Sequence, residues 1–193
     1  MKIEPVTLTG KVMRLEPLRL DHVAALARVG LDPELWRWIP QSVSNEDEMR
    51  AYVERALDEQ RRGVSLPFAI VALADGQVIG CTRYMNIETA HKRLEIGSTW
   101  LAPSQQRTGA NTECKLLLLT HAFETLGANR VELKTDVLNQ KSRDAIERIG
   151  ARQEGVFRRH VITASGRVRD TVYFSIIDSE WPEVKARLAA MLR

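Results

Sequence analysis

The sequence predicts an α/β fold built on a mixed β-sheet, and three observations lead there. Residues 65–101 hold three alternating segments, with Asp75-Gly76 between the first two, the pattern of an antiparallel meander. Residues 93–136 run strand, short polar turn, helix, strand, and a helical crossover of this kind leaves the two strands parallel. Amphipathic stretches around these strands supply helices to cover the faces of the sheet.

Taken in order, "TLTGKVMRLEPL" reads as a strand, with Val12, Arg14 and Glu16 alternating against Met13, Leu15 and Pro17. Asp21 is placed to cap a short helix, "HVAALARVG", that Gly30 closes. Ser44 with Asp47 three residues later resembles a capping box for the helix ending at Gly63, where Met49, Tyr52, Val53, Ala56 and Leu57 recur at helical spacing. "LPFAIVALA", "QVIGCTRYMNI" and "RLEIGSTWLAP" form the meander. A helix from Thr112 to about Leu126 is stopped by Gly127. In "RVELKTDV", Val131, Leu133 and Thr135 lie on one side, and Glu132, Lys134 and Asp136 on the other. "NQKSRDAIERIG" is a short helix, two strands meet around Ser165-Gly166, and "SEWPEVKARLAAMLR" closes the chain as an amphipathic helix.

Composition narrows the class. With 193 residues, no internal repeat and no Pro/Gly/Ser linker, the chain is expected to form a single domain over residues 1–193. Hydrophobic content of 44% and charged content of 27% are those of a soluble globular protein. No apolar run is long enough to span a bilayer, and no secretory signal is visible at the N-terminus, so a cytoplasmic protein without membrane partners is expected. Cys81 and Cys114 stand far apart and outside any C-x-x-C pattern, which suits a reducing compartment. The net charge of +3 comes without a long basic run, which argues against a nucleic-acid partner.

The turn between "RLEIGSTWL" and "CKLLLLTHAFETL" is the most informative stretch. A helix start leaves its first N–H groups without partners and carries partial positive charge, so phosphate oxygens can satisfy both. Gly109 permits close approach, Asn111 and Thr112 can add side-chain donors, and Arg107 adds a full charge. The same features also suit a capped β–α turn with no ligand. G-x-G-x-x-G and G-x-x-x-x-G-K-[ST] are both absent, which argues against dinucleotide and nucleoside triphosphate loops.

Gln106-Arg107-Thr108-Gly109-Ala110-Asn111 resembles the Q/R-x-x-G-x-G/A pyrophosphate-binding motif of the GCN5-related N-acetyltransferases (GNAT). Asn111 stands where that family often has Gly or Ala. Thr112-Glu113, the segment from Asn139 to Arg143, Ala145 to Ala151, and Glu154-Gly155 extend the likeness towards the branch of ribosomal-protein N-terminal acetyltransferases (RimJ/RimL-like). The likeness spans roughly residues 8–178. It implies acetyl-CoA as co-substrate without a metal, a primary amine as acceptor, and two splayed parallel strands, "RLEIGSTWL" and "RVELKTDV", with the pantetheine arm between them. It also implies donor contacts from Leu101, Gln106, Arg107, Thr108, Gly109, Ala110, Asn111, Thr112, Asn139, Ser142 and Arg143.

Amide formation from a thioester needs an uncharged amine, a polarised carbonyl and a protonated leaving thiolate. An N-terminal amine with pKa about 8 needs only a mild base, whereas a lysine at about 10.4 needs more. A backbone N–H near Trp100 or Leu101 can polarise the carbonyl. The resemblance makes Ser142 the candidate for stabilising the sulfur, against a local reading in which Asn139 or Ser142 caps the helix. Glu95, acting through water, and His160, which titrates in the useful range, are the candidate bases; both also read as ordinary surface residues. Arg143, Arg148, Arg158, Arg159, Arg167 and Arg169 are available for phosphates or an acidic acceptor, and most are expected to be solvated. Trp36 and Trp38 can line an acceptor groove, with at least one of them in the core.

The leading expectation is therefore transfer from acetyl-CoA to the N-terminal α-amine of a protein or peptide, in a ternary complex, by a monomer or homodimer. Acetylation of a small amine, such as an amino acid, polyamine or antibiotic, is the alternative. A coenzyme-binding module without turnover is a third reading.

Overall fold

A computed structural model of the protein describes residues 1–192. Its centre is an eight-stranded sheet in the order β1-β2-β3-β4-β5-β6-β8-β7. The strands are β1 (Leu8–Thr9), β2 (Met13–Pro17), β3 (Ser65–Ala72), β4 (Val78–Glu88), β5 (Arg93–Leu101), β6 (Arg130–Asp136), β7 (Arg152–Ile162) and β8 (Val168–Ile177). All neighbours are antiparallel except β5 and β6, the parallel pair implied by the crossover. The helices are α1 (Val23–Gly30), α2 (Pro33–Trp36), α3 (Glu46–Arg61), α4 (Ala110–Thr120), α5 (Gln140–Arg148) and α6 (Trp181–Ala190).

Four local expectations need correction. The first strand is a hairpin, because Gly10 turns the chain and Thr9 pairs with Arg14. Asp21 does not cap α1; the preceding turn is closed by His22, whose Nδ1 accepts the Arg19 N–H at 3.1 Å. The box at α3 lies one residue later than expected. Asn45 Oδ1 accepts the Glu48 N–H at 2.9 Å, and Glu48 Oε2 accepts the Ser44 N–H at 2.7 Å. Gly30, expected as a C-cap, ends α1 for packing: an added Cβ would lie 2.6 Å from the Trp100 ring.

Two cores flank the sheet. On one face α4 and α6 bring Leu118, Leu119, Ala122, Trp181 and Leu188 against Phe68, Ile70, Leu94, Ile96, Leu133 and Phe174. On the other, α1 and α3 pack Leu26, Met49, Tyr52 and Val53 on Ala69, Cys81 and Trp100. Each such fully buried side chain contributes about 1.5–3 kcal/mol relative to exposure. Beyond Thr120 the helix widens into a π turn, His121–Thr125, where the Leu126 N–H reaches back to His121 O at 2.9 Å.

The parallel pairing is brief. Register runs from Arg93↔Arg130 to Glu95↔Glu132, and there it ends. Farther along, β5 keeps only β4, pairing Trp100 with Cys81, while β6 keeps β8 as far as Asp136↔Thr171. A bulge adds one residue to β5 between Gly97 and Trp100, with Ser98 at φ 47°. The two strands thus part, and the chain leaving β5 turns directly into the start of α4.

Candidate acyl-transfer site

The turn from β5 to α4 is built for tightness at one end and openness at the other. Leu101 leads through a single helical turn, Pro103–Gln105, and Arg107 takes the left-handed conformation at φ 62°. The Thr108 hydroxyl donates to Gln105 O at 2.8 Å and accepts the Ala110 N–H at 3.2 Å, so it caps the turn. Among the described residues, the N–H groups of Gly109, Asn111 and Thr112 find no protein acceptor. Gly109 has φ −67°, ordinary for any residue, and an added Cβ would meet only Leu192, at 3.5 Å. The fold therefore does not require glycine there.

The remaining loop residues divide by burial. Arg107, Thr108 and Gly109 are exposed, Asn111 is half-buried, and the Ala110 and Thr112 side chains are buried, so those two offer only backbone. Gln106 is engaged at both ends: its Nε2 donates to Leu101 O at 3.1 Å and its Oε1 accepts from Lys141 Nζ. It ties the end of β5 to α5 across the space between the parted strands.

At the start of α5 the capping role falls to Asn139, whose Oδ1 accepts the Ser142 N–H at 3.2 Å. The Ser142 hydroxyl has no protein partner among the described residues and is half-buried. Arg143 turns back to Val137 O at 3.4 Å.

Glu95 stands on the opposite face of β5 from α4, because its neighbours Leu94 and Ile96 enter the α4-side core. Its carboxylate is 1% exposed, 2.9 Å from Lys134 Nζ and 2.7 Å from Asn86 Nδ2. Burial depresses the Lys134 amine, but the charge and hydrogen bond of Glu95 together with Tyr173 outweigh it and hold the pKa above its ordinary value. Gly97 keeps the carboxylate clear, since a Cβ there would lie 2.9 Å from Glu95 Oε1. Lys134 Nζ lies 5.6 Å from the Tyr173 ring centre, and His160 packs edge-on against the same ring at 5.7 Å. Burial, then the Lys134 and Arg169 charges, lower the His160 pKa. Both candidate bases thus share one face with Lys134 and Tyr173. A cleft of about 530 Å³ opens beside them, lined by Asn86, Arg93, Glu132, Glu154, Phe157 and Tyr173 among others.

Arg167 and Arg169 are not the solvated residues expected. Arg167 pairs with the buried Asp136, and Arg169 donates to Trp38 O at 3.1 Å, joining the β7–β8 hairpin to the segment after α2. Trp36 belongs to the core and Trp38 lies under the Arg167 guanidinium. Cys114 is buried in the core with its thiol pushed up to about 12 by burial. Sequence reasoning placed Lys134 on the correct side of β6 without giving it a role, and it passed over Asn86 and Tyr173. The period-two pattern of β6 was the available signal for Lys134; Asn86 and Tyr173 become neighbours only through strand pairing.

Residues 13–152 match the acetyltransferase (GNAT) domain family. The chain belongs to the GNAT acetyltransferases. YdaF of Bacillus subtilis (strain 168), provisionally named a ribosomal N-acetyltransferase, is 32% identical over 169 residues, covering 86% of this chain and 90% of its own. A solved GCN5-related N-acetyltransferase from Brucella melitensis superposes with TM-score 0.90 at 34% identity, covering all of this chain and 88% of that one. Mycobacterium smegmatis RimJ, solved with CoA-disulfide, gives TM-score 0.82 at 27% identity, with 98% and 94% coverage. As a GNAT enzyme the protein is an acetyl-CoA-dependent N-acetyltransferase, and its likeness runs to the RimJ/RimL-like branch. Among the described residues no helix is long and apolar enough to cross a membrane, and no cluster of metal-ligating side chains occurs.

Proposed function

We propose that this GNAT enzyme acts as one transferase unit and acetylates the N-terminal α-amine of a protein or peptide by direct transfer in a ternary complex. One relationship carries the reading: an unsatisfied helix tip and a buried carboxylate, Glu95, lie on the two sides of one parted strand. The donor diphosphate rests on the N–H groups of Gly109, Asn111 and Thr112, with Arg107 nearby and Asn139 and Ser142 along the arm. The acceptor comes from the face that carries Glu95, through the cleft beside Tyr173. Backbone N–H groups near Trp100 or Leu101 polarise the thioester carbonyl, the bulge at Ser98 having re-aimed them. Glu95, through water, takes the proton the amine loses and returns it to solvent, while the Ser142 hydroxyl donates a hydrogen bond that stabilises the departing thiolate, which solvent then protonates. The carbon–nitrogen bond forms as the carbon–sulfur bond breaks.

An α-amine suits these groups, because a carboxylate paired with Lys134 is a mild base and an α-amine needs no stronger one. The name carried by YdaF, a ribosomal N-acetyltransferase, supports a protein acceptor. Thiol release from acetyl-CoA across a panel of peptides and small amines tests the reading. Turnover on peptides with free N-termini, lost on blocked ones, is the expected result. Turnover confined to amino acids, polyamines or antibiotics, or none at all, overturns the acceptor assignment. Gly109→Asp tests the donor: repulsion of phosphate lowers acetyl-CoA affinity about tenfold or more, and unchanged affinity removes the diphosphate from this tip.

A further inference from the structure

Lys115 is a buried cation for which the described residues supply no counter-charge. It lies on α4, 7% exposed, and its Nζ donates to Thr99 Oγ1 at 3.1 Å. That is its one hydrogen bond among the described residues, although an ammonium carries three donors. Thr99 Oγ1 in turn sits 2.7 Å from Thr82 Oγ1. Glu113, two residues earlier, is turned away and occupied by the N–H groups of Lys11, Val12 and Met13. Cys114, on its own helix, is the titratable group whose charge reaches it, and that thiol is held neutral by burial. Strands β5 and β4 present only the hydroxyls of Thr99 and Thr82, and on α6 the Lys185 ammonium is taken up by Glu124.

Folding alone gives no reason for lysine here. A methionine would fill a similar volume without desolvating a charge, and an unpaired buried cation is costly. The position does have one distinguishing property. Thr99 lies on the part of β5 beyond Glu95, where β6 has departed, so the amine is tethered to the strand that borders the gap. The start of the same helix carries the unsatisfied N–H groups.

We propose that Lys115 is a further donor-binding residue, whose ammonium hydrogen-bonds the pantetheine arm and balances the charge of the diphosphate, so that donor binding and protonation of Lys115 are linked. The proposal rests on the donor placement given above. Burial holds the free amine down to about 8. An anion bound nearby raises it again, so binding takes up a proton between the two values. The sign follows: the contribution of Lys115 to affinity is complete below about 8 and is lost as pH rises through the higher, bound value.

Calorimetry with acetyl-CoA, whose blocked thiol does not titrate, tests this at pH 7 and pH 9.5 in buffers of different ionisation enthalpy. Wild type is expected to take up a proton between these limits and to bind more weakly at the upper one. Lys115→Met is expected to abolish the uptake, to lower affinity about tenfold at pH 7, and to raise the melting temperature of the ligand-free protein. The opposite signs matter, because a structural lysine would give a lower melting temperature and unchanged affinity. That outcome overturns the proposal, as does absence of proton uptake by wild type, which needs no variant. Gly109→Asp separates the two levels. If it weakens binding while Lys115→Met does not, only the role of Lys115 fails; if neither variant matters, the donor placement fails with it.

Discussion

The Glu95 carboxylate lies 2.9 Å from Lys134 Nζ, just where β5 and β6 cease to pair. Position and partner are linked. Glu95 faces away from the α4 core because Leu94 and Ile96 face into it, and Lys134 is brought alongside by the last parallel register pairs. A buried carboxylate survives ionised only with such partners.

If Glu95 receives the acceptor's proton, Glu95→Gln lowers kcat by about 100-fold or more while leaving acetyl-CoA affinity intact. Steady-state kinetics beside a thermal shift with acetyl-CoA measures both. A kcat within twofold of wild type would reduce Glu95 to a structural partner of Lys134.

Ser142 admits a similar separation, because the helix cap is made by Asn139 and not by Ser142. Ser142→Ala is therefore expected to leave the melting temperature unchanged and to lower kcat about tenfold. The effect is modest because a thiol of pKa near 8.5 leaves readily without help. Loss of donor affinity with kcat preserved would make Ser142 a binding contact instead.

The order of strands and helices was legible because periodicity is local: Met13 and Leu15, or Val131 and Leu133, alternate whatever they later touch. The turn from β5 to α4 was legible because Gly109 stands between a period-two and a period-3.6 segment. The parting of β5 from β6 was not, since it is a matter of which neighbours Gly97 to Leu101 lack; family resemblance alone implied it. The caps failed by one residue, as at Ser44 and Asn45, because neighbouring polar residues satisfy the same pattern and only geometry chooses. Glu113 and Lys115 are charged residues near the start of α4, yet both are buried. Nothing in their spacing announces a hairpin turn from residues 10–13 closing over one and β5 covering the other.

Glu113 yields a stability prediction. Its carboxylate accepts the N–H groups of Lys11, Val12 and Met13 at 2.7, 2.9 and 2.7 Å, and its carboxyl carbon lies 2.6 Å from where a Cβ on Gly10 would be. Glu113→Ala orphans these donors and is expected to cost about 3 kcal/mol, with Glu113→Gln intermediate. Thermal melts should fall in the order wild type, Gln, Ala, the last by roughly 6–12 °C. Equal melting temperatures would mean that water replaces the carboxylate without loss.

The π turn after α4 yields the pH dependence. The Tyr84 hydroxyl donates to Leu118 O at 2.6 Å, which leaves its oxygen to accept from His121 Nδ1 at 3.2 Å and places the ring proton there. A second proton must then go to a ring that is 8% exposed, and burial lowers the His121 pKa below its ordinary 6.5. The unfolded chain binds that proton more readily than the folded one, so stability rises with pH across the interval. The contribution is complete above about pH 6.5 and is lost as pH falls through the lower folded value. His160 shifts in the same direction, so His121→Gln should shrink the slope without abolishing it. Urea midpoints at pH 7.5 and pH 5.5 measure this. A wild-type midpoint unchanged between the two, or an equal fall in the variant, would show that His121 accepts its charge in the folded state at no cost, contrary to the tautomer fixed by Tyr84.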